Sequence, residues 1–346
     1  MDLRLPEPDE LGDTLVLHHW DADGVASASL VLDYLGDYAE LYVPPLGFYW
    51  LDSQAAREMR DLGTFDTLMV LDMALPVESV ERAASAVGAG RVVLVDHHVR
   101  PRERLPASWI SLVDPSQPSA SWHLTRLVGA QPDLRSILGV AGDLGPTLRS
   151  HPVYGEVLRV LESLDMTVEE LERLAELVDA NYRVGDREGV KDAVFALSRG
   201  CRDPRSLLGL KRWVVRLRSA EAEVERVLRE ARVEDFGVVV YVEFESPHLL
   251  ISTVGRKFAW SRDRVAVLVL NSRWRRGYAQ VYSRVHGLDL DLTPLAEMAR
   301  SRGYNAGGKR ESIGVILPEL EARDFVRRAL DWLRSAAREG KGKEGE

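Results

Sequence analysis

From Thr14 to Leu148, short apolar runs alternate with stretches of helical spacing. The runs are Thr14–Leu17, Leu41–Val43, Thr67–Leu71, Arg91–Val95, Trp109–Val113 and Ile137–Val140. Between them, Val25–Tyr34, Ser53–Asp61, Val77–Val87 and Ala120–Leu127 place their apolar residues three and four positions apart. A short unbroken run fits a strand buried on both faces, and a period of 3.6 fits a helix packed on one. Strands alternating with helices predict a parallel, doubly wound α/β sheet. From Gly155 to Val233 the spacing is helical throughout. There Thr167-Val168-Glu169-Glu170 has the form of a capping box, opening a helix with Leu171, Leu174, Leu177 and Val178 on one face. A second long helix is expected from Ser206 to Arg232. β-Branched runs return at Gly237–Val242, Leu249–Ser252, Val265–Leu270, Tyr278–Tyr282 and Ser312–Leu317, predicting a smaller α+β domain. The expected division is a doubly wound domain over 1–152, a helical connector over 153–233, a smaller domain over 234–336 and a disordered tail over 337–346.

Composition narrows the class of protein. At 346 residues, 45% hydrophobic and 29% charged, the chain has enough apolar residues to bury a core in each of two domains. The single cysteine, Cys201, excludes a disulfide framework, an iron–sulfur cluster and a thiolate zinc finger. No apolar run approaches the ~18–20 residues of a membrane span, and the opening MDLRLPEPDE is acidic and broken by prolines. A cytoplasmic protein with no membrane partner is expected. Three Asn, four Gln and an excess of Arg over Lys match a thermophile's usage.

The net charge of −9 opposes a polyanionic partner, yet the basic residues are not spread evenly. Residues 199–219 hold seven Arg/Lys against one acid, and residues 255–285 hold eight against one. The second segment includes Arg273-Trp274-Arg275-Arg276-Gly277-Tyr278. Guanidinium groups that pair with phosphates, interleaved with rings that stack on bases, suit single-stranded nucleic acid. Arg275 and Arg276 are therefore candidate substrate contacts.

The chemistry lies where the N-terminal runs stop. The first run ends in His19-Trp20-Asp21-Ala22-Asp23-Gly24, the third in Asp72, the fourth in Asp96-His97-His98, and Ile137–Val140 leads to Asp143. Carboxyl ends of parallel strands share one edge of a sheet, where ligands bind, so four separated motifs would converge there. Carboxylates packed so closely repel unless cations neutralise them. Carboxylate and imidazole donors without thiolate suit Mn²⁺ or Mg²⁺ and suit zinc less well.

This pattern resembles the DHH phosphoesterase superfamily. His19-x-Asp21-x-Asp23-Gly24 matches its first motif, Asp72 the second, Asp96-His97-His98 the third and Asp143 the fourth. The resemblance implies two divalent cations, Mn²⁺ before Mg²⁺. His19 and Asp21 would hold one, Asp23, His97 and Asp143 the other, and Asp72 both. It makes Asp96 a group that orients the site and His98 one that faces the substrate phosphate. Tyr304-Asn305-Ala306-Gly307-Gly308-Lys309 resembles the Gly-Gly-His motif of the family's DHHA1 substrate domain, with Lys309 at the His position. Tyr282-Ser283-Arg284 is similar to a strand bearing a phosphate-binding arginine, and Asn181–Asp186, with Arg183, to a loop that faces the active site in RecJ-like proteins.

Arg284, Gly307, Gly308, Lys309 and Arg183 are thereby candidate substrate contacts. Compact archaeal RecJ-like nucleases match the layout best, implying an exonuclease on single-stranded DNA or RNA that acts beside replication or repair proteins. The family also contains enzymes of oligoribonucleotides, cyclic dinucleotides and phosphoadenosine phosphate, and structural subunits of replication complexes.

Overall fold

The computed structural model describes residues 4–98 and 104–342. The chain folds into two units. One holds the N-terminal stretch to Leu46 with Leu51–Tyr182 and Asp186–Leu217; the other holds Gly47–Trp50, Arg183–Gly185 and the chain from Arg218 on.

The first unit is built on five parallel strands: β1 (Thr14–His18), β2 (Ala39–Tyr42), β3 (Thr67–Leu71), β4 (Arg91–Asp96) and β5 (Ile110–Val113), in the order β2-β1-β3-β4-β5. β1 and β3 are buried at every residue, because helices cover both faces of a parallel sheet. That two-sided burial is why the strands read as unbroken apolar runs. The helices are α1 (Pro8–Leu11), α2 (Ala22–Leu35), α3 (Ser53–Leu62), α4 (Val77–Val87), α5 (Ala120–Leu127), α6 (Leu134–Leu144), α7 (Tyr154–Ser163), α8 (Val168–Arg183), α9 (Arg187–Gly200) and α10 (Pro204–Leu208), with the start of α11 (Lys211–Glu230). The chain leaves β1 for β2 on one side and has β3 on the other. The carboxyl ends of β1 and β3 therefore flank a topological switch point, where doubly wound sheets open a crevice.

One predicted strand does not form. Ile137–Val140 lies inside α6, with Leu134, Ile137, Leu138, Val140 and Ala141 all buried. Asp133 caps that helix by accepting from Arg135 N–H (2.8 Å), while Ser136 reciprocates in a capping box. A helical turn packed on nearly every side shows the same short apolar run as a buried strand. Asp143 consequently stands in the last turn of a helix and not at a strand end. The capping box at Thr167 is present: Glu170 N–H donates to Thr167 Oγ1 (3.2 Å) and Thr167 N–H to Glu170 Oε2 (2.9 Å).

The second unit carries a six-stranded sheet: β6 (Arg232–Asp235), β7 (Val239–Phe244), β8 (Val265–Arg275), β9 (Tyr278–His286), β10 (Asn305–Lys309) and β11 (Ser312–Pro318), ordered β10-β11-β9-β8-β7-β6. β7 and β8 run parallel and the other pairs antiparallel. One face packs Leu268, Leu270, Val281 and Val315 against α13 (Thr293–Arg300) and α14 (Glu319–Gly342). The other packs Val240, Val242, Val267 and Val269 against α12 (Ile251–Trp260). Leu249–Ser252, expected as a β run, leads into α12, where Ile251 and Val254 face the core at helical spacing. α14 takes in residues 337–342 of the expected tail; residues 343–346 lie outside the described residues. No helix among the described residues is long and apolar enough to cross a membrane.

Candidate metal centre

At the end of β1, Asp21 is the N-cap of α2, and its Oδ1 accepts from Gly24 N–H at 3.1 Å. Its other oxygen, Oδ2, lies 2.9 Å from His19 Nδ1. His18, the last strand residue, is fully buried and takes no part in this cluster. Its Nδ1 donates to the His19 carbonyl at 2.7 Å, and burial pulls its pKa down to about 4, so it stays neutral. Asp23, in the first turn of α2, is held from the other side: Ala120 N–H donates to its Oδ2 (2.6 Å) and Ser121 N–H to its Oδ1 (2.9 Å). Those are donors of the first turn of α5, which a helix leaves without internal partners and which favour negative charge.

Asp72 follows β3 with φ +58, a left-handed conformation that costs a non-glycine residue about 1–2 kcal/mol and that Asp tolerates better than most. Its N–H donates to Val95 O (2.9 Å), so β4 holds the bend that turns the carboxylate inward. The carboxylate is 2% exposed and its two oxygens face different neighbours. Oδ2 lies 3.7 Å from His19 Nδ1, while Oδ1 lies 3.7 Å from His97 Nε2 and 3.6 Å from His98 Nδ1.

Asp96 ends β4 and holds the two histidines that follow it. Its Oδ1 accepts from His97 N–H (2.8 Å), from His98 N–H (3.1 Å) and from His98 Nδ1 (2.8 Å). Because a carboxylate only accepts, Nδ1 of His98 carries the proton there. His97 Nδ1 points to Gln117 O (3.3 Å), which leaves Nε2 facing inward, 3.0 Å from Asp143 Oδ2 and 4.0 Å from Asp23 Oδ2.

The donor chemistry fits divalent cations. His19, Asp21 and Asp72 bring one donor atom each within 4.8 Å of one another, as do Asp23, His97 and Asp143. Asp72, His97 and His98 form a third such group, sharing Asp72 with the first. His19 Nδ1, Asp72 Oδ1 and His97 Nε2 are buried without a hydrogen-bond partner, despite the polar atoms crowded beside them. Buried polar atoms are normally satisfied, and lone pairs turned toward a shared point are what a cation satisfies.

The electrostatics carry the same mark. Burial, and next the Asp143 charge, push Asp23 up to about 6. Burial and the surrounding carboxylates raise Asp72 well above the usual range. Burial disfavours charge on His97, but the Asp143 carboxylate outweighs it and lifts the imidazole to about 9. A divalent cation held by these groups would therefore displace protons. Apparent Mn²⁺ affinity is expected to climb steeply as pH rises through 6 and to go on climbing, less steeply, toward 9. Calorimetry at about pH 5.5 and about pH 7.5 checks this, with proton release read from buffers of different ionisation enthalpy; equal affinities would contradict it.

Sequence reading missed three supports of this cluster: the α5 amide donors, Gly139, whose missing side chain leaves room for Asp23, and Asp179, whose Oδ1 accepts from Ala22 N–H (2.9 Å). Only the first had a visible signal, Ser119 as a helix N-cap.

The remaining predicted contacts lie on the second unit. Arg284, Gly307 and Lys309 sit on β9 and β10, with β11 between them. Arg284 is half-buried, its Nε is buried without a partner, and its Nη1 donates to Tyr282 Oη at 3.2 Å. Lys309 pairs with Glu311 at 2.9 Å, and Gly308 has φ +134 near the β10–β11 turn. Arg183 belongs to the short segment Arg183–Gly185, and its carbonyl accepts from Leu249 N–H (2.8 Å).

Gly307 and Gly314 face each other across β10 and β11, and Tyr49 fills the recess they leave. A Cβ on Gly307 would stand 2.6 Å from the Tyr49 ring, and one on Gly314 would overlap its hydroxyl. Tyr49 N–H donates to Asn305 Oδ1 at 2.6 Å, anchoring the Gly47–Trp50 segment on this sheet. Arg275 and Arg276 stand exposed at the β8–β9 turn, at the opposite end of β9 from Arg284. Trp274, read as a stacking ring, is only 6% exposed and packs against Phe48 at 6.0 Å between centroids, whereas Tyr278 is 42% exposed. Trp274 is thus covered while Arg275, next to it on β8, is exposed.

Residues 13–144 match the DHH family, N-terminal domain. No curated protein matches the chain. Among solved structures it is similar to RecJ in complex with Mn²⁺ from Thermus thermophilus, at 17% identity and a TM-score of 0.63, over 92% of this chain and 51% of that one. The chain thus spans about half the length of that RecJ. It is also similar to the DHH domain of a member of the s1p family of ribosomal proteins (13% identity, TM-score 0.68, 94% and 87% covered). A third is the pGpG-specific phosphodiesterase PggH from Vibrio cholerae (17%, 0.54, 93% and 99% covered). At these identities the likeness is one of fold.

Proposed function

We propose that this chain, whose residues 13–144 form a DHH family domain, is a two-metal phosphodiesterase that hydrolyses single-stranded nucleic acid as a RecJ-like exonuclease. The observation that carries the reading is the division of the Asp72 carboxylate, one oxygen toward His19 and the other toward His97. His19, Asp21 and Asp72 would hold one cation and Asp23, His97, Asp143 and Asp72 the other, with Mn²⁺ favoured and Mg²⁺ second. Cations held there would acidify a water and offset charge on the attacking and leaving oxygens of a phosphoryl displacement.

The chain's own residues do the rest. Asp96 fixes the His98 ring through Nδ1, leaving Nε2 of this 44%-exposed side chain for a substrate phosphate. Asp72 and Asp23, buried and inclined to keep their protons, would give them up to the cations and present negative charge there. On the second unit, Arg284 donates to Tyr282 Oη, and the guanidinium and hydroxyl together would offer donors to a phosphate oxygen. Lys309, Arg183, Arg275 and Arg276 would add charge along a strand.

A second reading, hydrolysis of short oligonucleotides or cyclic dinucleotides, is favoured by one observation. With Trp274 buried, Tyr278 is the exposed ring left beside Arg275 and Arg276, a small stacking platform for a long strand. The test is 5′- and 3′-labelled single-stranded DNA and RNA of several lengths with Mn²⁺. An exonuclease shortens long strands stepwise from one end. Long strands left intact while dinucleotides vanish would install the second reading, and no cleavage with any metal or substrate would sink both.

A further inference from the structure

We propose that Asp179 is a positioning residue for the metal centre, acting through the backbone between two of its donors; this rests on the two-metal reading above. Ala22 N–H donates to Asp179 Oδ1 at 2.9 Å. Ala22 stands between Asp21 and Asp23, which belong to opposite donor groups. One hydrogen bond thereby holds the stretch of chain whose rotation would swing both carboxylates.

Ala22 opens α2, so its N–H is one of the donors a helix leaves without an internal partner. Gly24 N–H in the same turn is taken by Asp21 Oδ1, which frees Asp21 Oδ2 to stand beside His19. Without Asp179, the Ala22 N–H would compete for the Asp21 carboxylate and turn it away from His19. Asp179 also stands where its charge suits the start of α2. It lies toward the C-terminal end of α8, where the helix dipole disfavours a carboxylate, while the start of α2 favours one.

The test uses the full chain and Mn²⁺ alone. Calorimetry gives Mn²⁺ affinity for wild type, Asp179→Ala and Asp179→Asn, and thermal unfolding of each is followed in EDTA. Asp179→Ala should bind Mn²⁺ about tenfold more weakly, and Asp179→Asn, which keeps an acceptor, should recover to within about threefold. Unfolding temperatures in EDTA should agree within about 2 °C. Wild-type affinity in Asp179→Ala overturns the inference. So does a loss of affinity that follows an equal loss of stability and is not recovered by Asn, since that describes a merely structural role. A wild type that binds neither Mn²⁺ nor Mg²⁺ sinks the metal reading itself, a result the mutant comparison cannot imitate.

Discussion

Asp72→Asn should abolish hydrolysis while leaving the fold intact. A divalent ion contributes several kcal/mol of charge stabilisation to a phosphoryl displacement. At about 1.4 kcal/mol per decade, losing the group proposed to serve both cations should cost on the order of 10³-fold or more in kcat. Asn is chosen because it accepts the positive φ at this position as readily as Asp does, so the bend after β3 survives.

Stability separates this outcome from simple misfolding. Burial raises the Asp72 pKa in the folded chain, so between the unfolded and folded pKa values the native state binds the extra proton. Metal-free stability therefore falls as pH rises through that window, and the amide removes the effect. In EDTA at neutral pH, Asp72→Asn should unfold at the wild-type temperature or above. Added Mn²⁺ should raise the wild-type unfolding temperature and leave that of the variant nearly unchanged, because only a native state that binds gains from mass action. Activity within tenfold of wild type, or a variant that gains as much from Mn²⁺, would refute the role given to Asp72.

What could be read from the chain depended on how many faces each element buries. β1, β3 and β4 announce themselves because helices cover both sides, and Thr67–Leu71 and Val77–Val87 fall where their patterns place them. The same logic misplaced Ile137–Val140, since α6 is buried on so many sides that its apolar stripe closes into a run. β10 was invisible as a strand because two of its five residues are glycines. That His19, Asp21, Asp23, Asp72, His97 and Asp143 lie together was legible because each is a polar residue interrupting or ending an apolar stretch. Their supports were not. Asp179 reaches Ala22 across 157 residues, and nothing local sets it apart from any other helical acid. The aromatic run at Trp274 carried its composition in plain sight, but whether a ring lies on a sheet or under Phe48 is decided by tertiary packing.

Gly139→Ala should reverse the usual sign of a glycine-to-alanine change in a helix. Alanine ordinarily stabilises a helix interior by roughly 0.5–1 kcal/mol over glycine, and Gly139 lies within α6 with no unusual backbone angle to protect. Here the new methyl would overlap Asp23 Oδ1 and Ser121 Oγ and stand 2.8 Å from Asp23 Cγ. Neither neighbour can yield cheaply. Asp23 is held by the Ala120 and Ser121 amides, and Ser121 Oγ donates to Ser136 O at 3.3 Å. Overpacking of this kind costs about 1–3 kcal/mol, which exceeds the propensity gain. Relief comes by pushing Asp23 off its amide donors and toward Asp143, the charge that already raises its pKa. Affinity for Mn²⁺ and kcat should then fall by about 10–100-fold, the range seen when the support of a ligand is lost. Gly155→Ala is the internal control, since a Cβ there meets nothing within 4 Å; it should hold or slightly raise the unfolding temperature and leave Mn²⁺ binding alone. Both variants behaving alike in thermal unfolding and Mn²⁺ titration would mean that the space beside Gly139 is not what keeps Asp23 in place.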